Sequence, residues 1–505
     1  MEWASVNKPR DQAIVSEMGN GYPGPTLEPV AAIGSLHVGA LKEIKHFNAC
    51  TDKDRRAGIG VWGRKLPPIW PCRTDNRNVV MRRGKPRVTI DKSMWLVPWL
   101  QSHNDAIDLD IYPELEYVNV GQLGRARAIL LTTGAEVVPF GFDLTSYFRK
   151  IGKNRSTWWM AGTVDRDGYG FDPRVQFGDR AAPVLCGRQT CLLADAIKRE
   201  LRRLDIAYPS VDGAVIAYVA ERLAKLQAEA PAIDFIVAAL FFVLAFVDDV
   251  SGMIVNDALC DGDRPLLISL TDQSGEIEWR QQKRGEMYLE AALGVIRFFG
   301  HSEAAGKTWF PDQCGLMPFL GISFDCERER LLITGDKRGW YVEDIRAMLD
   351  VDESELVKEG GARVKADDLN SVVHKLLHAS TCIVLGRQHL YNAMRCLRAT
   401  QNGVAVIGVA AKLELRWWLA QLRKTDSEGV PMASRQSFPE PGPGTLAPYF
   451  DASRELKSPQ SSGFGAWAVI KSEFCYIEGR WSEWELRALS INVLELAARN
   501  IGTFT

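Results

Sequence analysis

The chain has 505 residues, 46% of them apolar and 25% charged, an ordinary globular composition that excludes a disordered, collagen-like or mucin-like polypeptide. Ten cysteines without a CxxC pair exclude a disulfide scaffold and offer no zinc module, so a reducing intracellular setting is expected, cytoplasmic or nuclear. The formal charge of −2 hides two basic blocks, net +8 over residues 51–92 and net +7 over 371–424, with −17 elsewhere. That distribution suits a polyanion gripped at two places around a carboxylate-rich centre.

Residues 1–50 show no clear periodicity and no apolar leader, and no function is assigned to them. Residues 79–91 (VVMRRGKPRVTID) alternate basic and apolar side chains and read as paired strands around Gly84. Residues 136–144 (EVVPFGFDL) form a β-type run that ends in a carboxylate, Asp143. Helical periodicity covers 181–205 and 213–229, the second stretch stopping before Pro231. The apolar run 235–247 is too short to span a bilayer, so no membrane partner is expected, and it delivers Asp248 and Asp249 at its end. Residues 283–300 read as a helix, and 315–335 as two short strands (FLGISFD and RLLIT). Residues 338–424 are mostly helical, with an acidic connector near 350–360. A Pro-, Gly- and Ser-rich linker spans 425–447, and a new unit begins at Pro448. The expected class is mixed α/β (α+β).

Two apolar strands thus end in acids. Side by side, they would bring Asp143 and Asp248 together, and close carboxylates repel unless a divalent cation sits between them. Mg²⁺ takes a few carboxylates together with substrate phosphates and water. A lone DD pair is otherwise a turn or a helix cap.

The order of motifs resembles a reverse transcriptase. FDLTSYFRK (142–150) resembles the first palm motif, with Asp143 as its acid and Phe148 as its aromatic. VQFGDRAAP (175–183) resembles the second, supplying Phe177, Gly178, Ala182 and Pro183. AFVDDVSG (245–252) resembles the third, the aromatic-x-D-D box on a hairpin turn. Gly294 with Lys307 and Thr308 resembles the fourth, and FLGISFD (319–325) the primer-grip strand. GKPRVTIDKS (84–93) with Asn104 and Asp105 resembles the fingers motif, where Lys85 and Arg87 would meet the triphosphate. Downstream, 449–498 resembles the start of a ribonuclease H domain, with Asp451 and Glu495 as its carboxylates. The spelling of these boxes is most similar to DIRS-type retroelements, which pair a reverse transcriptase with a tyrosine recombinase.

The resemblance implies a right-hand polymerase. Its fingers and palm would lie within 51–325, a thumb or connection within 326–424, and a ribonuclease H-like unit within 448–505. The palm would be an antiparallel sheet with helices on one face. Asp143, Asp248 and Asp249 would hold two Mg²⁺ ions, with Mn²⁺ as a substitute. The substrates would be deoxynucleoside triphosphates and a primer on an RNA or DNA template. A tyrosine recombinase of the same element is the further partner implied. Only two ribonuclease H carboxylates lie within the sequence, so that activity is expected to be absent and the domain truncated. The rival reading is a catalytically inactive nucleic-acid-binding remnant.

Several residues keep two readings. Phe148 is a gate against the ribose 2′-OH or a core aromatic. Phe177 and Gly178 approach the incoming nucleotide, or Gly178 serves an ordinary turn. Lys307 donates to the pyrophosphate or is a surface lysine. Asp249 is a ligand or supports the turn. Trp417, Trp418, His301 and the His374/His378/Cys382 spacing are read as packing.

Overall fold

The computed structural model describes residues 12–22, 32–82, 85–96, 101–110, 112, 118, 120–229, 240–262, 264–271, 277–309, 316–349, 362–383, 386–424, 430–431, 449–452, 463–470 and 473–480. The chain forms two compact units, Met1–Ser434 and Arg435–Thr505.

The first unit is organised around a four-stranded antiparallel sheet in the order Glu303–Trp309, Val137–Leu144, Asp249–Val255, Phe241–Phe246. Every residue of Val137–Leu144 is buried. Val138, Phe140, Phe142 and Leu144 share a core with Leu193 and Ile197 of the helix Ala182–Ala207 and with Tyr288 and Leu289 of the helix Arg284–Phe298. Val137, Leu244, Met253 and Val255 join a different core, with Leu123 and Leu130 of the helix Val120–Leu130 and with Met317 and Phe319. The expectation of helices on one face is therefore corrected. Apolar side chains alternate onto both faces of these strands, so both faces must be covered. Pro139, which cannot donate to a ladder, is accommodated because Glu303–Trp309 pairs only with residues 141–144.

The Ala182–Ala207 helix begins on Pro183, whose fixed φ suits a first turn, and buries Leu185, Leu192, Leu193, Ile197, Leu201 and Leu204 at helical spacing. Near its far end the fully buried Arg284 donates to both oxygens of Asp257, at 2.5 and 3.1 Å, and to Asp205 at 3.2 Å. A second sheet, Leu316–Phe319, Ile322–Asp325, Arg330–Ile333 and Val430–Pro431, packs with helices Gly335–Leu349, Ala366–Ala379, Tyr391–Arg398 and Val409–Arg423. A six-stranded sheet toward the N-terminus contains Arg73–Arg82, paired with Lys85–Asp91 as Val79 opposite Val88.

Five further readings of the sequence change. FLGISFD is not one strand but divides at Leu320 and Gly321, a two-residue turn with φ of 51° and 77°. Leucine at positive φ carries no sequence signal for such a turn. The mostly helical stretch also holds a ribbon, Ala362–Lys365 against Val404–Ile407. The helix Ile44–Arg56 runs through the expected boundary at residue 50, and Val430–Pro431, inside the expected linker, pairs with Arg330 and Leu331. The aperiodic N-terminal stretch contains the helix Gln12–Asn20, which buries Ile14 and ties Glu17 to Arg188 at 2.7 Å.

Trp418 is fully buried, and Trp417 stacks on His389 with centroids 3.8 Å apart. His374 is exposed, the His378 ring N–H donates to the Leu320 carbonyl at 2.7 Å, and Cys382 is buried, so these three residues do not converge on a metal. The second unit contains three antiparallel strands, Tyr449–Ala452, Gly463–Ile470 and Glu473–Arg480, with Asp451 opposite Gly465. The Asp451 side chain and all of Glu495 lie outside the described residues. No described helix is long and apolar enough to cross a membrane.

Candidate active site

Asp143 and Asp249 are directly opposed across the central strands, and Asp248 sits in the two-residue turn that precedes Asp249. Opposed residues project to the same face, so the register alone places Asp143 and Asp249 side by side. The turn adds the third acid. One carboxylate oxygen from each of Asp143, Asp248 and Asp249 lies within 4.8 Å of the other two, the sole such group of metal-ligating side chains among the described residues.

The edge strand supplies a cation. Its pairing with Val137–Leu144 is interrupted by a bulge between Glu303 and Thr308 that contains Gly306, at φ 72°, and Lys307. Bulges re-aim side chains, and here the Lys307 ammonium meets Asp143 Oδ2. That contact, followed by the nearby acids, raises the Lys307 pKa. Asp143 Oδ1 is buried and has no hydrogen-bond partner among the described residues. Burial, then the charge of Asp143, raises the Asp248 carboxyl. Burial, then Asp248 and Asp143, pushes Asp249 up to about 7. Three acids against one lysine leave a deficit of positive charge. Hard oxygen donors so arranged, one of them buried and unpaired, fit a divalent cation such as Mg²⁺.

The turn carrying Asp248 is held unusually. Val247 has φ of 52°, a left-handed conformation costly for a β-branched residue. Its carbonyl accepts a hydrogen bond from the Thr190 hydroxyl, and the Asp248 carbonyl accepts from the Leu144 N–H at 2.8 Å. Thr190 and the Tyr147 hydroxyl behind it, 2.9 Å away, belong to residues 1% and 2% exposed. Tyr147 in turn lies against His301, whose Nε2 is 3.0 Å from Gln189 Nε2. Burial lowers the His301 pKa to about 4. Nothing in the sequence singles out Thr190. The one available signal is a hydroxyl four residues after Cys186 on the helix, a spacing that does not disclose the contact with residue 247.

Phe148 is half-buried and packs on Phe177, ring centroids 4.9 Å apart, while Phe177 is 43% exposed. Gly178, at φ 108°, has no room for a side chain, because a Cβ would come within 1.9 Å of the Ile90 carbonyl oxygen. The Ile90 N–H also donates to the Phe177 carbonyl at 2.9 Å. This segment therefore rests on the strand that carries Lys85 and Arg87. Arg87 is exposed, and the Lys85 side chain lies outside the described residues. Asn104 clasps the same turn, donating to the Gly178 carbonyl at 2.8 Å and accepting from the Arg180 N–H at 2.9 Å. Phe148, Phe177, Gly178 and Asn104 form one neighbourhood, and Asp143, Asp248, Asp249 and Lys307 another.

Behind Gly178, Lys153 donates to Asp179 at 3.0 Å and Lys92 to Asp75 at 3.1 Å, all nine-tenths or more buried. His103 lies between them, 3.9 Å from Asp75 and 3.8 Å from Asp179, and burial holds its pKa well below the usual range. Arg73, Arg77 and Lys92, three cations of the first basic block, are thus internal. The expected grip on a polyanion loses those three charges to the interior.

No protein-family model matches the chain, and no curated protein matches it. Similar solved structures include a foamy viral protease-reverse transcriptase in complex with RNA/DNA hybrid, at TM-score 0.46 and 10% identity, covering 97% of this chain and 52% of that one. The same protein with dsDNA gives 0.44 and 11%, covering 100% and 84%. Its dRH form with ds DNA gives 0.45 and 11%, covering 96% of this chain, which spans 65% of that chain's length.

Proposed function

We propose that this chain is an RNA-directed DNA polymerase that adds deoxynucleotides to a primer 3′-end, as part of a DIRS-type retrotransposon that also encodes a tyrosine recombinase. The observation that carries the reading is the meeting of Asp143, Asp248 and Asp249 on paired strands with Lys307 as their nearby cation. The order of the motifs around them supports it.

On this reading Asp143, Asp248 and Asp249 hold two divalent cations. The bound ions supply activation of the 3′-hydroxyl and neutralisation of the triphosphate. Lys307, kept as an ammonium by Asp143, donates to the anionic oxygens of the nucleotide. Lys85 and Arg87 bind the triphosphate. Phe148, braced by Phe177, fills the space a ribose 2′-OH needs, and Gly178 lets backbone approach the base pair. The fingers and palm occupy the chain up to residue 325, with their start ahead of the helix Ile44–Arg56, the thumb occupies 326–424, and Asp451 and Glu495 are remnants of a ribonuclease H set.

The experiment is extension of a DNA primer on an RNA template, with Mg²⁺ and deoxynucleoside triphosphates. Extension by the wild type, abolished in Asp143→Asn, supports the reading; no extension on either RNA or DNA templates contradicts it. Phe148→Ala should admit ribonucleotides while sparing deoxynucleotides, and an equal change for both returns Phe148 to core packing.

A further inference from the structure

We propose that Thr190 is a positioning residue for the carboxylate centre: its hydroxyl, reaching across from the Ala182–Ala207 helix, holds the Val247 carbonyl and so fixes the turn that presents Asp248. The inference rests on reading the acid trio as a cation centre, and its test separates the two.

The turn has two residues, since Phe246 pairs directly with Asp249. A strained backbone persists only where its surroundings over-determine it, and Val247, at φ 52°, is such a residue. Its side chain packs against the core shared by the sheet and the 182–207 helix. That packing alone does not set the rotation of the peptide that joins Val247 to Asp248. The carbonyl of Val247 belongs to that peptide, so a bond to it fixes the direction from which Asp248 departs.

Counting protons shows which bond Thr190 makes. Its single hydroxyl proton has two carbonyls within reach, the half-buried one of Val247 and the buried one of Cys186, the second at 2.7 Å. The Cys186 carbonyl has another hydroxyl donor in Tyr147, at 3.3 Å. The Val247 carbonyl has no such alternative among the described hydrogen bonds. Full satisfaction therefore sends the Thr190 proton to Val247 and the Tyr147 proton to Cys186 or to the Thr190 oxygen. Tyr147 is fixed by burial against His301, itself beside Gln189, the neighbour of Thr190. Tyrosine, threonine and turn form one buried relay from the helix to the acid.

The test uses the full chain with Thr190→Val, which removes the hydroxyl at nearly constant shape, and Thr190→Ser, which keeps it. Amide hydrogen exchange across residues 246–250 reads the turn directly. In Thr190→Val it should quicken about fivefold to tenfold, the weight of one hydrogen bond, and Thr190→Ser should restore it. Mn²⁺ titration should show affinity weakened about tenfold to a hundredfold in Thr190→Val, as for other groups that orient metal ligands, with Thr190→Ser near wild type. Primer extension should lose kcat with an unchanged KM for nucleotide. Should Thr190→Val not fold, Tyr147→Phe serves instead. It frees the Thr190 proton to turn to Cys186, and the turn should loosen by a smaller factor. Unchanged exchange at the turn, or Thr190→Ser no better than Thr190→Val, overturns the inference. A wild type that neither binds Mn²⁺ nor extends primers overturns the cation-centre reading, while the exchange data still decide the role of Thr190.

Discussion

Two of the charge clusters in the first unit, one around His103 and one around Asp143, are built in opposite ways. Around His103, each carboxylate has an ammonium within hydrogen-bonding distance, Asp75 with Lys92 and Asp179 with Lys153, and Arg73 lies 3.5 Å from Asp75. Although burial opposes it, the lysines hold Asp179 well below the ordinary carboxylate range. Around Asp143 the sign reverses. Three acids share Lys307, whose side chain is 58% exposed, and burial and mutual repulsion raise Asp248 and Asp249. A cluster in which every carboxylate has a cation beside it contributes to the fold. A cluster left short of positive charge costs stability, which is the property that the proposed cation centre requires.

The largest effect that can break this comparison is on activity. Asp248→Asn keeps the shape and removes a ligand charge, so extension should fall on the order of a thousandfold or more, about 4 kcal/mol of transition-state stabilisation. Near-normal extension would remove Asp248 from the site. The matched change in the other cluster, Asp179→Asn, should instead lower folding stability by about 3 kcal/mol, because it strands the Lys153 ammonium without its partner. Chemical denaturation reads this, and an unchanged midpoint would mean that the His103 cluster is not the closed network described.

Acid should act through the buried histidines. The folded pKa of His301, about 4, lies below its unfolded value of about 6.5. The unfolded chain therefore takes up the proton first, and the stability due to neutral His301 is full above pH 6.5 and is lost as pH falls toward 4. The loss is on the order of 3 kcal/mol at most. His301→Gln should flatten that part of the pH profile, and an unchanged profile would place the titration elsewhere. A smaller effect belongs to the surface. Arg395 and Arg398 are exposed on Tyr391–Arg398, and reversing both should weaken template-primer binding and reduce its salt slope by about one unit for each phosphate no longer neutralised. A salt slope equal to that of the wild type would exclude them from the interface.

The two clusters are not equally legible in the sequence. Apolar runs that end in acids declare themselves, so the meeting of Asp143 with Asp248 and Asp249 could be expected, and the side chains do converge. Charge counts do not declare burial. Arg73, Arg77 and Lys92 read as part of a polyanion grip, yet they are internal, because their acidic partners Asp75 and Asp54 lie on the same or neighbouring elements. The turn at Leu320 and the strained Val247 are hidden because nothing in either side chain favours positive φ. Thr190 is hidden because its hydrogen bond joins residues 57 apart in sequence. Glu495 lies outside the described residues, so its expected role has no structural counterpart here.

The most direct test of the central claim, that the acid trio is held ready for a cation, is thermal unfolding of the wild type and Asp249→Asn with and without millimolar Mg²⁺. Without Mg²⁺, removing one repelling charge should make Asp249→Asn the more stable of the two by about 1–2 kcal/mol. With Mg²⁺ the wild type should gain stability and the variant should not, so the order narrows or inverts. Equal response of both proteins to Mg²⁺, or an Asp249→Asn variant less stable than wild type in its absence, would contradict the account.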